Sequence, residues 1–155
     1  MNWEIRIATS EDAPQIVDLI RLGIGERSFH NREVSTEDFL MYAFDKRMKG
    51  FDLLLCQTET EIVGYIDSLI GKRGVGRILG IYVKPEYRRK GIGEALIEEI
   101  IDKFTIGKCH KARLQVFADN QGAFRFYTKL NFVQEGYLQK DQEKRDAIIM
   151  SRFLE

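Results

Sequence analysis

Two groups of residues in this 155-residue chain have the types and spacing for chemistry. The first is Arg88-Arg89-Lys90-Gly91-Ile92-Gly93, which follows the apolar run Ile78–Val83 through Lys84-Pro85-Glu86-Tyr87 and leads directly into a helical pattern. A strand, a short basic glycine loop and a helix start form an anion site. The first helical turn offers unpaired N–H groups and a partial positive charge. Gly91 and Gly93 let a phosphate approach without a Cβ in the way, and Arg88, Arg89 and Lys90 add charge at the rim. Alone the signal is weak, because a third glycine of a dinucleotide fingerprint is missing and no G-x-x-x-x-G-K-[ST] occurs. A basic surface turn with glycines would look the same.

The second group is Asn120 and Tyr127, seven residues apart and so on one face of a helix, at roughly 10 Å separation. The strand before them ends at Ala118-Asp119, beside the end of Ile78–Val83 if the two strands are parallel. An amide and a phenol then lie along one cleft, although each alone reads as a cap and a core tyrosine. Cys56 and Cys109 have no C-x-x-C spacing and read as buried or half-buried thiols. A covalent route through either lacks support beyond His110 next to Cys109, on the opposite strand face. His30 and His110 are isolated, so no metal is expected.

The elements that must position these groups follow from periodicity. Trp3–Ala8 alternates as a strand with Trp3, Ile5 and Ile7 on one face. Ser10 reads as the cap of a first helix carrying Ile16, Val17, Leu19 and Ile20. Ser35-Thr36-Glu37-Asp38 starts a second, with Phe39, Leu40, Ala43, Phe44 and Met48 as its apolar side. Leu53–Thr58, Ile62–Ile70 and Gly76–Val83 are strands joined by turns short enough to require antiparallel neighbours. Gly91–Phe104 is a helix with the stripe Ile92, Leu96, Ile97, Ile100, Ile101 and Phe104. Ala112–Ala118 is a strand, Asn120–Leu130 a helix, and Phe132–Leu138 and Ala147–Phe153 close the chain. A crossover helix demands a parallel pair between Gly76–Val83 and Ala112–Ala118. The fold class is α+β.

With 24 basic and 24 acidic residues the net charge is zero, which argues against a nucleic-acid partner. No apolar run approaches the about 20 residues that span a bilayer, and the N-terminus lacks a signal peptide's basic start and apolar core. A cytoplasmic chain of one domain over 1–155 is expected, without a membrane partner and as a monomer or homodimer.

The chain resembles the GNAT superfamily of N-acetyltransferases over nearly its full length. The family's cofactor motif, [RQ]-x-x-G-x-[GA] after a strand ending V-x-P, stands here as Val83-Lys84-Pro85 and Arg88-x-x-Gly91-x-Gly93. Its second motif, N-x-x-A-x-x-[FL]-Y then K-x-G-F, stands as Asn120-Gln121-Gly122-Ala123-Phe124-Arg125-Phe126-Tyr127 and Lys129-Leu130-Asn131-Phe132. Asn131 replaces the usual glycine, and asparagine is the next-best residue for a left-handed helix stop. The resemblance implies a single domain with a mixed, mainly antiparallel sheet of about six to seven strands, about four helices, and a parallel pair splayed to hold acetyl-CoA.

It further implies that main-chain groups of Ile81 and Val83, with Tyr82 between them, pair with the pantetheine arm. Amides from Arg88 or Arg89 through Lys90, Gly91, Ile92, Gly93 and Glu94 would hold the pyrophosphate. Asn120 and Ala123 would flank the arm, and the Tyr127 hydroxyl would protonate or hydrogen-bond the departing thiolate as general acid. Main-chain N–H from the Tyr82–Val83 region would polarise the thioester carbonyl. The acceptor must be a neutral primary amine, on a small molecule, a protein N-terminus or a lysine. An alkyl amine is about 99.9% protonated at pH 7, so a base is needed. Some family members have a glutamate six residues before the V-x-P valine; here that residue is Arg77. Asp67 is the candidate base, against the alternatives of a surface aspartate or a water relay aided by Tyr82 or Tyr65. A non-catalytic acyl-CoA-binding sensor or scaffold is the competing class. Tyr127 speaks for the enzyme, since a binding module needs no phenol at the sulfur.

Overall fold

Short polar turns fold the middle of the chain into a meander, and one long helix then carries it across to a parallel neighbour. In the computed structural model, which describes residues 2–154, the strands are β1 (Glu4–Ile7), β2 (Phe51–Gln57), β3 (Ile62–Ile70), β4 (Val75–Val83), β5 (Lys111–Phe117), β6 (Val133–Leu138) and β7 (Ala147–Phe153). They form one sheet in the order β1-β2-β3-β4-β5-β7-β6. Only β4 and β5 are parallel. Helices α1 (Ala13–Gly25) and α2 (Thr36–Leu40) cover one face. Helices α3 (Ile92–Ile106) and α4 (Gln121–Lys129) cover the other. The predicted α3 stripe, Ile92, Leu96, Ile97, Ile100, Ile101 and Phe104, is buried throughout.

The feature that makes the site is how briefly β4 and β5 meet. They pair only through Val75–Lys111, Gly76–Ala112 and Arg77–Arg113. Just past that point Ser68 faces Ile78 and Asp67 faces Gly80, so Leu79 is an extra residue on β4. Such a bulge bends the bulged strand and breaks its ladder. β5, by contrast, stays paired with β7 along its whole length. The two strands therefore diverge beyond Arg77.

At the seam, a Cβ on Gly76 would lie 2.5 Å from the ring of the fully buried Phe104. Gly76→Ala is expected to destabilise the protein by about 3 kcal/mol through overpacking. The check is a lower denaturant midpoint at unchanged m-value, and a midpoint equal to wild type would refute it.

Several local expectations shift. Thr9, not Ser10, caps the first turn, and its N–H donates to the Asp12 carboxylate at 2.7 Å. Arg6 grips both oxygens of that carboxylate at 2.8 Å. Ser35 does cap α2, its hydroxyl accepting from the Asp38 N–H at 3.0 Å. That helix is only five residues long, however, and widens into a π-type turn over Met41–Asp45, which leaves Met48 61% exposed. Ile7 is equally exposed, because β1 is an edge strand and packs only through Trp3 and Ile5. Asn131 takes a left-handed φ of 70° just past α4, doing the work of a glycine stop. Cys56 and Cys109 are both buried and free.

Candidate active site

The divergence of β4 and β5 opens a cleft of about 1540 Å³ that runs from the β4–α3 loop to the sheet face under α1 and α2. At its loop end, Arg89 (φ 60°) and Gly91 (φ 85°) are left-handed, and Gly91 caps α3. Left-handed residues in a short loop turn successive N–H groups inward to make anion-binding concavities. The main-chain N–H groups of Arg89 to Glu94 donate to no acceptor among the described residues, and the first α3 bond is from Ala95 to the Gly91 carbonyl. Six consecutive amides are thus free at a helix N-terminus. Arg88, Arg89, Gly91, Ile92, Gly93 and Glu94 line the cleft, whereas the Lys90 side chain is exposed and does not.

Arg88 corrects the sequence reading in a second respect. Its guanidinium does not lie free at the rim. Nε donates to the Val83 carbonyl at 2.8 Å, and Nη2 pairs with Glu26 at 2.9 Å. The Tyr82 hydroxyl donates to the same Glu26 carboxylate, and the Arg88 guanidinium stacks 5.3 Å from the Tyr82 ring. Glu26, just past α1, therefore ties that helix to the end of β4. Nothing in the local pattern singled it out, because its partners lie 56 and 62 positions away.

Along β4, the Lys84 N–H donates to the Val63 carbonyl on β3. In an extended chain main-chain groups alternate sides, so those of Val83 and Ile81 point away from β3, into the cleft. The Val83 carbonyl is taken by Arg88, which leaves the Val83 N–H and both groups of Ile81. Across the cleft, the Asn120 Oδ1 accepts from the Ala123 N–H at 3.1 Å, capping α4 and leaving its NH₂ free. Tyr127 is buried against Phe126 and Phe132, and its hydroxyl makes no hydrogen bond among the described residues. Burial pushes its pKa above the ordinary phenol value, so it stays protonated. Asn120, Ala123 and Tyr127 all line the cleft.

At the other end lies Asp67, which is not the surface aspartate its strand pattern allowed. It is only 8% exposed. Oδ2 accepts from the Tyr42 hydroxyl at 3.5 Å, and Oδ1 has no hydrogen-bond partner among the described residues. Burial pushes its pKa up to about 7, opposed by nearby main-chain N–H groups and the charge of Arg32. Oδ1 and the Tyr65 hydroxyl converge over Gly80, where a Cβ would sit 3.0 and 3.1 Å from them. The Phe29 ring stands 6.4 Å from Tyr65 and 6.3 Å from Tyr82. Phe29, Arg32 and Tyr42 come from the segment that follows α1 and continues through α2, and the tertiary fold brings that segment to β3.

The Acetyltransferase (GNAT) family model matches residues 19–132. The chain belongs to the GNAT acetyltransferase family. It is an acetyl-CoA-dependent N-acetyltransferase. It is 27% identical to an N-alpha-acetyltransferase of Saccharolobus solfataricus, covering 97% of this chain and 93% of the relative. It is 26% identical to a spermidine N(1)-acetyltransferase of Thermoplasma acidophilum, covering 99% of both. A Salmonella typhimurium acetyltransferase, solved with acetyl-CoA, shares the fold at a TM-score of 0.87 and 20% identity, over 100% of this chain and 95% of that one. Among the described residues of this GNAT chain no cluster of three His, Cys, Asp or Glu side chains could hold a metal. No described helix is long and apolar enough to cross a membrane.

Proposed function

We propose that this cleft transfers the acetyl group directly to a neutral primary amine, with Asp67 as the base and Tyr127 as the group that receives the leaving thiolate. The observation that carries the reading is the placement along one cleft of a loop of free amides, a phenol without a hydrogen-bond partner among the described residues, and a buried carboxylate with one unpartnered oxygen. The residues fit acetyl-CoA. A pyrophosphate matches the Arg89–Glu94 amides, and the bared main-chain groups of Ile81 match a pantetheine amide. When bound, the thioester supplies an activated acetyl group.

Asp67 removes a proton from the acceptor ammonium, which frees the nitrogen lone pair to attack the carbonyl carbon. The Val83 N–H, facing the cleft, donates to the oxygen where negative charge develops. Tyr127 donates a hydrogen bond to the sulfur as the C–S bond breaks. The elevated carboxylate matters to the first step. An ordinary aspartate would face an alkyl ammonium near 10.4 across more than six pKa units. A pKa of about 7 narrows that gap by about three units, which is about 4 kcal/mol. A purely acyl-CoA-binding module gains nothing from a buried carboxylate with a free oxygen, because such a group destabilises its fold. The acceptor amine belongs to a small molecule, a protein N-terminus or a lysine.

Calorimetric titration with acetyl-CoA tests the reading, alongside turnover read as free thiol over a panel of amines. Wild type is expected to bind and turn over. Gly91→Val places a β-branched side chain at φ 85° beside the amides, and is expected to weaken acetyl-CoA binding at least about tenfold with the acceptor KM little changed. Absence of acetyl-CoA binding by wild type would overturn the assignment.

A further inference from the structure

The acceptor end of the cleft carries a carboxylate with one unpartnered oxygen and a guanidinium with no direct partner among the described residues. Asp67, nine-tenths buried, keeps Oδ1 beside Gly80 and the Tyr65 hydroxyl, with no hydrogen bond to that oxygen among the described residues. Arg32 lines the same cleft, and its charge is felt at Asp67, Tyr42 and Tyr65 together. Yet its guanidinium makes no hydrogen bond and no ion pair within 4.0 Å among the described residues. Glu33 and Asp38 line that end too, exposed and solvated, and neither is paired with Arg32. Phe29, Phe39, Tyr42 and Tyr65 line the same cleft.

Resting on the acetyl-transfer reading above, we infer that the acceptor is a free α-amino acid with an apolar side chain, its ammonium taken by Asp67 and its carboxylate by Arg32. A guanidinium fork matches a carboxylate with two parallel hydrogen bonds, whereas an ammonium site alone would accept any primary amine. A polyamine would instead place a second cation beside Arg32, where like charges repel. The aromatic walls favour an apolar side chain and stabilise the ammonium before its proton leaves. The chemistry balances as simple acyl transfer. The N–C bond forms, the thioester C–S bond breaks, and the ammonium's two surplus protons pass to Asp67 or solvent and to the thiolate.

Three acceptors that differ at one position give the test: leucine, leucinamide and 3-methylbutylamine, each with wild type and Arg32→Gln. The amide's amine is the least basic of the three, near the 7.7–8.0 of a peptide α-amine, so free-base supply at pH 8 favours leucinamide. A preference for leucine therefore runs against that supply and reports the carboxylate. Wild type is expected to show kcat/KM for leucine at least about tenfold above both neutral-tailed amines. Arg32→Gln is expected to remove that preference chiefly through KM for leucine, with kcat/KM falling at least about tenfold more for leucine than for 3-methylbutylamine. Turnover of the amide or alkylamine as fast as leucine by wild type, or a preference unchanged in Arg32→Gln, would overturn the inference and leave the acetyl-transfer reading standing. No transfer to any of the three together with no acetyl-CoA binding would overturn both.

Discussion

Asp67→Asn is expected to lose activity and gain stability in the same molecule. Loss of the base should lower kcat by 10²–10⁴-fold, the usual worth of a positioned proton acceptor. It should also remove the limb of kcat/KM that rises through about pH 7 in wild type. The stability effect follows from linkage. In the folded protein the Asp67 pKa is raised from 3.8 to about 7 by burial. A raised pKa means that the folded state holds the proton more tightly. The stability this group contributes is fully present below pH 4, declines between pH 4 and 7, and is gone above. Three units correspond to about 4 kcal/mol. Wild type and Asp67→Asn should therefore unfold at similar denaturant concentrations at pH 4. At pH 8 the variant should be the more stable by up to that amount. A variant less stable than wild type at pH 8 would mean that the carboxylate is held by interactions the free Oδ1 does not show. Turnover within threefold of wild type, with the pH limb intact, would place the base elsewhere.

Tyr127→Phe is expected to lower kcat by about 10²-fold while leaving acetyl-CoA affinity and stability nearly unchanged. The hydroxyl has no hydrogen-bond partner among the described residues, so its removal orphans none of their polar groups. Burial keeps the phenol protonated, so it acts by hydrogen-bonding sulfur as charge appears there and not by ionising beforehand. Thioesters of more acidic thiols need less of that help. The deficit should shrink across a series of acyl donors as the leaving thiol's pKa falls. A constant deficit across the series would show that Tyr127 positions the substrate and does not assist departure.

The parts legible in the sequence were those governed by neighbours in the chain. The α3 stripe, the Ser35 cap, the strand–loop–helix at Val83 to Gly93 and the left-handed stop at Asn131 are all local chemistry. Parallel pairing of β4 with β5 followed from the length of the crossover. What stayed hidden depends on contacts between distant segments. The extra residue at Leu79 is visible only once β3 and β4 are in register. Arg88 looked like a phosphate ligand because its partner Glu26 comes from another helix. Asp67 looked half-exposed because its burial is imposed by Tyr42 and the α1–α2 segment. Met48 looked like core because its helix ends early in a wide turn.

The short seam between β4 and β5 also bears on how the protein avoids its own kind. Beyond Arg77 the molecule keeps two strand edges with unpaired main-chain groups in the interior of a sheet, the kind of surface on which foreign strands assemble. Here the edges face a cleft lined by Ile92 and Gly93 at the start of α3 and by Phe126 and Tyr127 of α4. A polypeptide strand carries side chains on both faces and needs about 4.8 Å of width beside the edge it joins. A slender, unbranched chain bearing amides needs less room. These edges thus suit one thread of amide groups better than a further β-strand.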